Sequence, residues 1–132
     1  MAAEATTVEA PFDVAALLAK FNSRETHATG TVVIHHGKVK RPGKQVPEFT
    51  DVLLEPLVPD PGAALLEVAR QVELEHGLHQ IMIVHRIGVT GSGDDVLWVA
   101  VSAATRGKSF AGCAAAVDLV KEEHVIRLVE RA

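Results

Sequence analysis

Six cations in this sequence stand where a small anion could be held. Lys38, Lys40, Arg41 and Lys44 crowd one stretch from Gly37 to Phe49, Arg106 opens an alanine-rich segment, and Lys121 closes it. Ammonium and guanidinium groups donate charged hydrogen bonds, and a helix start adds unpaired N–H groups, so these positions suit a phosphate or a carboxylate. Taken singly, each reads as a solvated surface charge. Lys121 is set apart by helical geometry. It follows Phe110 by eleven positions, which brings it within roughly 20° of that residue around a helix axis. It is therefore expected to prolong a buried stripe of Phe110, Cys113, Ala114, Val117 and Val120. There it either passes the core edge or enters a pocket in which an amine serves as an acid or a base. Arg106 lies fifteen residues earlier, roughly 22 Å away along a helix. One small ligand cannot touch both within one chain, so a shared site requires two copies. A homodimer with pockets near the subunit boundary is expected.

The other candidate chemistries are weaker. Seven histidines suggest a metal, but His35 and His36 are adjacent on a strand and point to opposite faces, and His76 and His79 straddle Gly77. With one cysteine and no His-x-x-x-His on a helix, no metal is expected. His85 reads as a satisfied residue at a strand end. Gly91-Ser92-Gly93 lies between two strands instead of before a helix, so it is a turn and not a phosphate cradle. Cys113 reads as a small buried hydrophobe.

Composition narrows the class further. A chain of 132 residues has room for one core, so residues 1–132 are expected to form one domain. A formal charge of -4 argues against a general nucleic-acid binder, which needs an excess of cations over the phosphates it meets. No apolar run approaches membrane-spanning length, and MAAEATTVEAPF has no basic leader, so a cytoplasmic protein is expected. The single cysteine agrees with a reducing compartment.

The elements that must position the cations follow from pattern. Ile81 to Ile87 and Val96 to Ser102 are apolar and read as a buried antiparallel hairpin closed by Gly91 to Asp95. A helix then begins near Lys108. Earlier, Asp13 caps a helix with Val14, Leu17, Leu18 and Phe21 on one face, read as the first element. Thr31 to His36 and Thr50 to Leu57 are strand-like, and Gly37 to Phe49 between them, with two Gly and two Pro, reads as a mobile cationic loop. Asp60 and Pro61 start a helix that Gly77 stops, with Leu65, Leu66, Ala69 and Val72 inward and Glu67, Arg70, Glu73 and Glu75 in water. Val125 to Val129 is a last strand. Together these predict an α+β or mixed α/β domain.

The order of motifs carries a resemblance. His85-Arg86-Ile87-Gly88, a glycine turn, a Val-Ala-Val-Ser-Ala strand, Thr105-Arg106 four residues before Phe110, a helix reaching Lys121, and GTVVIHHGKVK at Gly30 to Lys40 together resemble the large, catalytic subunit of molybdopterin synthase. The likeness spans most of the chain. It implies an α/β hammerhead-like domain with an added antiparallel β-subdomain, and a homodimer in which each protomer binds a small ubiquitin-like sulfur carrier. It implies sulfur transfer from the carrier's C-terminal Gly-Gly thiocarboxylate to cyclic pyranopterin monophosphate, with no cofactor. Residue by residue, the family's substrate-binding Lys-Val-Arg is matched by Lys38, Val39 and Lys40, with lysine replacing arginine. Its His-Arg pair is matched by Thr105 and Arg106, and its first essential lysine by Lys121, the implied catalytic residue. Leu128 occupies the place of the second lysine, and Arg127 stands one residue early. Two readings stay open: a sulfur-transferring enzyme subunit, or a non-catalytic relative that binds a carrier protein or a small anion.

Overall fold

The computed structural model describes residues 2–132. In chain order the elements are β1 (Ala2–Val8), α1 (Val14–Asn22), β2 (Thr31–Lys38), β3 (Asp51–Pro56), α2 (Pro61–His76), β4 (Gln80–Arg86), β5 (Gly88–Thr90), β6 (Asp95–Ala103), α3 (Arg106–Lys121) and β7 (Ile126–Arg131). One sheet has the order β1-β4-β6-β2, with β1 parallel to β4 and the other pairs antiparallel. A second, fully antiparallel sheet has the order β5-β3-β7. This is the expected α+β class with an additional antiparallel sheet. None of the described helices is long and apolar enough to cross a membrane.

The two central strands explain the layering. Every residue of β4 is buried, and side chains alternate across the sheet. Ile81, Ile83, Leu97, Val99 and Val101 belong to the core that α2 and α3 close. Met82, Val84, Trp98 and Ala100 form a separate cluster on the opposite face, where α1 inserts Phe21. Phe21 and Trp98 are completely buried, so truncating Phe21 to alanine removes about 3–5 kcal/mol. The sequence-derived α1 therefore packs through Phe21 and Leu17, whereas Val14, expected on the same face, is exposed.

Four expectations need correction. The first element is β1, not α1: its Ala-Glu-Ala-Thr-Thr-Val run has little apolar periodicity and becomes a strand by pairing in parallel with β4. The hairpin between β4 and β6 is interrupted. Gly88 turns the chain at φ +94°, and β5 leaves to join β3 in the second sheet before the chain returns at Asp95. That glycine conformation is strained for a residue bearing Cβ. Next, α3 begins at Arg106 and presents Ser109, Gly112, Cys113, Ala116 and Val120 to the core, whereas Phe110 is 60% exposed. Small residues win this face because the helix approaches its neighbours closely: a Cβ on Gly112 would lie 2.7 Å from a Leu78 methyl, and Ser109 Oγ donates to the Thr31 carbonyl at 2.9 Å. Lastly, Glu73 is buried on α2 instead of facing water, and its burial raises its carboxyl above the usual value.

α2 otherwise follows its sequence signals. Asp60 accepts from the Ala63 N–H at 3.0 Å, Pro61 occupies the first turn, and Gly77 ends the helix at φ +62°.

Candidate functional site

The C-terminal end of α3 opens onto a cleft of about 500 Å³ between the two sheets. Its apolar wall comes from Val52 and Leu54 on β3, Leu97 on β6, Val120 on α3, and Ile126 and Leu128 on β7. Lys38, Lys40, Lys44 and Lys121 stand around it. Among the described residues, none of the four has a carboxylate within ion-pair distance. Unpaired ammonium groups over a partly apolar wall make a receptor for an anion attached to a flat or apolar body.

The acids that share the cleft form no ion pair with these lysines; backbone N–H groups hold them instead, and the Lys44 charge acts on Glu130 only from a distance. Glu130 accepts from the amides of Lys44, Gln45 and Val46 at 3.1, 2.6 and 2.8 Å. The Val46 N–H leads in holding its carboxyl below the ordinary range. Glu123 accepts from the Leu128 N–H at 2.6 Å while its own backbone sits at φ +59°.

The same contacts correct the reading of Gly37 to Phe49 as mobile. Gln45 behaves as a further rung on β7, donating to the Leu128 carbonyl and accepting from the Glu130 N–H, each at 3.0 Å. Val39 is 4% exposed and pairs by its backbone with Gly93 and Asp94 at 2.8 Å. Phe49 is buried, with the Arg41 guanidinium 5.5 Å from its ring centroid. The lysines thus ride on an anchored segment.

Two imidazoles lie behind the cations. His85 is 5% exposed and its Nδ1 lies 2.7 Å from the Arg86 carbonyl. A carbonyl can only accept, so Nδ1 carries the proton and Nε2 keeps its lone pair. Burial pushes this ring below the ordinary histidine value, the Arg86 bond opposes that, and the Lys121 charge adds to it. His35 is likewise lowered, by burial first and then by Lys121 and His36, and its buried Nε2 has no partner. Burial raises the Cys113 thiol, and the His35 backbone works against that rise.

The structure therefore brings Lys38, Val39, Lys40, Leu128 and Lys121 to one cleft. Lys121 arrives there as the residue after buried Val120, not as the continuation of a Phe110 stripe. Thr105 and Arg106 are at the far end of α3, where Thr105 caps the helix by accepting from the Lys108 N–H at 3.4 Å. Arg127 faces away from the cleft and pairs with Glu55 at 2.8 Å. Sequence reasoning passed over Glu130 and Glu123 and gave His85 no part. Nothing in the spacing of the two acids announces a backbone cradle, whereas His85 at the end of an otherwise apolar strand was a visible signal.

Comparison with known proteins settles the lineage. The model of the MoaE protein family matches residues 7–123. The chain belongs to the MoaE family. Among MoaE relatives, the molybdopterin synthase catalytic subunit of Pasteurella multocida is 29% identical over 115 residues, 87% of this chain and 75% of that protein. The one from Haemophilus ducreyi is 31% identical, over 86% and 73% respectively. In fold, molybdopterin synthase from Staphylococcus aureus superposes with a TM-score of 0.80 at 23% identity, over 96% of this chain and 89% of that one. A Helicobacter pylori complex of subunits 1 and 2 of molybdopterin-converting factor gives 0.69 at 10% identity, over 95% and 82%.

Proposed function

We propose that this MoaE-family chain is the catalytic subunit of a molybdopterin synthase, transferring sulfur to cyclic pyranopterin monophosphate in the cytoplasm. The observation that carries the reading is the set of four unpaired lysines at one cleft whose competing carboxylates are bound by backbone amides. The phosphate lies against Lys38, Lys40 and Lys44, and the pterin body lies over the wall formed by Leu54, Leu97 and Leu128. Lys121 is the catalytic residue, stabilising charge and moving a proton where the sulfur bond forms. The sulfur arrives as the C-terminal Gly-Gly thiocarboxylate of a small ubiquitin-like carrier, a partner also suggested by the two-subunit Helicobacter pylori relative. The reaction needs no further cofactor.

Residues 1–132 act as one domain that pairs with a second copy. The dimer brings Thr105 and Arg106 of one protomer towards the Lys121 cleft of the other, since within one chain α3 keeps them roughly 22 Å apart. The second reading, a non-catalytic carrier or anion binder, draws on Leu128 in place of the family's second lysine and on Arg127 being tied to Glu55.

Purified protein mixed with thiocarboxylated carrier and cyclic pyranopterin monophosphate separates the two. The enzyme reading expects dithiolene product, and expects Lys121→Ala to abolish it while the circular dichroism spectrum stays unchanged. Carrier binding without product supports the non-catalytic reading.

A further inference from the structure

His85 is a buried base with one nitrogen left over. The described residues give its Nε2 no hydrogen-bond partner, yet Nε2 is not among the side-chain atoms sealed from solvent. The ring lines the same cleft as Lys121. Its orientation is fixed from behind, because Nδ1–H is committed to the Arg86 carbonyl at 2.7 Å. An unpaired lone pair that opens to the cleft is free to accept a proton from a molecule held there. The charged groups that share the cleft are Lys38, Lys40, Lys44, Lys121, Glu123 and Glu130. Both carboxylates are tied to backbone amides, whereas Nε2 is not.

We infer that His85 is a second catalytic residue of this cleft, with Nε2 as the base that activates water to free the carrier from the substrate's new sulfur. The inference rests on the sulfur-transfer reading above. Once the thiocarboxylate sulfur has bonded to a substrate carbon, the carrier's acyl carbon is still attached to that sulfur as a thioester. Water oxygen then bonds to the acyl carbon, its proton passes to Nε2, and the acyl–sulfur bond breaks. The electron pair stays on sulfur as a thiolate, and the carrier leaves with a carboxylic acid that ionises to solvent. No oxidant or reductant is needed. The anionic substrate also prepares the base. Its phosphate offsets the lysine charge that opposes protonation of the ring, so Nε2 becomes more basic when a substrate is present.

The test is a single turnover with thiocarboxylated carrier and cyclic pyranopterin monophosphate, followed by intact mass and dithiolene formation. In His85→Asn the side-chain amide can still donate to the Arg86 carbonyl, but the base is gone. The carrier–substrate thioester is expected to accumulate while product forms about 10²-fold or more slowly, and added imidazole restores hydrolysis. His85→Gln serves if the asparagine variant does not fold, with the same expected accumulation. Product at the wild-type rate, or an equal slowing of thioester formation and hydrolysis, overturns the assignment. In Lys121→Ala neither thioester nor product is expected, which keeps the two roles distinct. A wild-type protein that forms no product removes the sulfur-transfer reading itself, and this inference with it.

Discussion

The two ends of α3 carry similar charges in very different surroundings. At its start, Thr105, Arg106, Gly107 and Lys108 are exposed beside a shallow hollow edged by Leu74 and Ala111. Leu74 is 74% and Phe110 60% exposed on that side. At its end, Lys121 follows a buried Val120 into a walled cleft with three more lysines. A helix N-terminus is the better intrinsic anion site, since its N–H groups and dipole favour negative charge. Here the dipole's unfavourable end holds the cleft. Walls decide the matter: β3, β7 and the Glu130-anchored loop enclose the C-terminal end, and among the described residues no element encloses the other. Cations alone do not make a site.

Breaking the enclosed end has the largest expected effect. Lys121→Ala lowers product formation by about 10²-fold or more, while its exposed position limits the stability change to about 0.5 kcal/mol. Paired rates and thermal melts check both. The open end sharpens the comparison through complementation. If Arg106 serves the partner's cleft, mixing Lys121→Ala with Arg106→Ala and allowing subunits to exchange rebuilds one intact site per mixed dimer, about a quarter of all sites. Activity that stays at the level of the separate variants defeats the shared-site geometry.

Loosening the loop should cost less. Glu130→Ala frees the amides of residues 44–46, so KM for the substrate rises about 10-fold, and those amides exchange hydrogen faster. Acid should mimic the variant. The folded carboxyl titrates below its ordinary value of 4.5, so its contribution is present above that pH and is lost as pH falls through the folded value. A protection factor at residues 44–46, taken relative to the intrinsic exchange rate at each pH, that stays constant between pH 6 and the acid limit contradicts the clamp.

Histidine gives a smaller, earlier acid effect. His35 and His85 are held below the ordinary 6.5, so the unfolded chain binds protons that the folded one refuses. Stability is therefore complete above about pH 6.5 and declines as pH falls from there towards the folded values. A Tm series from pH 7.5 to 5 should slope downward, and His35→Asn should flatten it.

How much of this was legible depends on how local each signal is. Caps at Asp13 and Asp60, the apolar runs of β4 and β6, and the cluster Lys38 to Lys44 are written in adjacent residues, and each was found, whereas the Thr105 cap, upstream of the helix start expected near Lys108, was not. β1 was missed because its strand character comes from β4, seventy residues and more away. Phe110 was placed inward because helical periodicity alone does not say which stripe faces the core. The small residues Ser109, Gly112 and Ala116 win that face through close packing against Leu78 and Thr31. Lys121 was thus singled out by an argument whose anchor residue is on the surface. The Glu130 cradle was invisible, since its partners are more than eighty positions away.

Arg127 provides the smallest expected effect and the sharpest control. It stands one residue before the position to which the family resemblance assigns a second lysine, so sequence alone invites it to take over that role. Strand geometry forbids this: neighbouring residues on β7 point to opposite faces, and Leu128 is the one that lines the cleft. Arg127 instead crosses β7 to Glu55 on β3, its register partner, at 2.8 Å. Arg127→Ala should leave the product rate within about twofold of wild type, because exposed pairs of this kind contribute little. Leu128→Lys supplies the complementary measurement. It puts a fifth ammonium into the cleft without touching the Glu55 pair, and tighter substrate binding is expected, read as a lower KM. A large loss of turnover in Arg127→Ala with an unchanged melt would show that its guanidinium reaches the substrate after all, and that the cleft extends past β7.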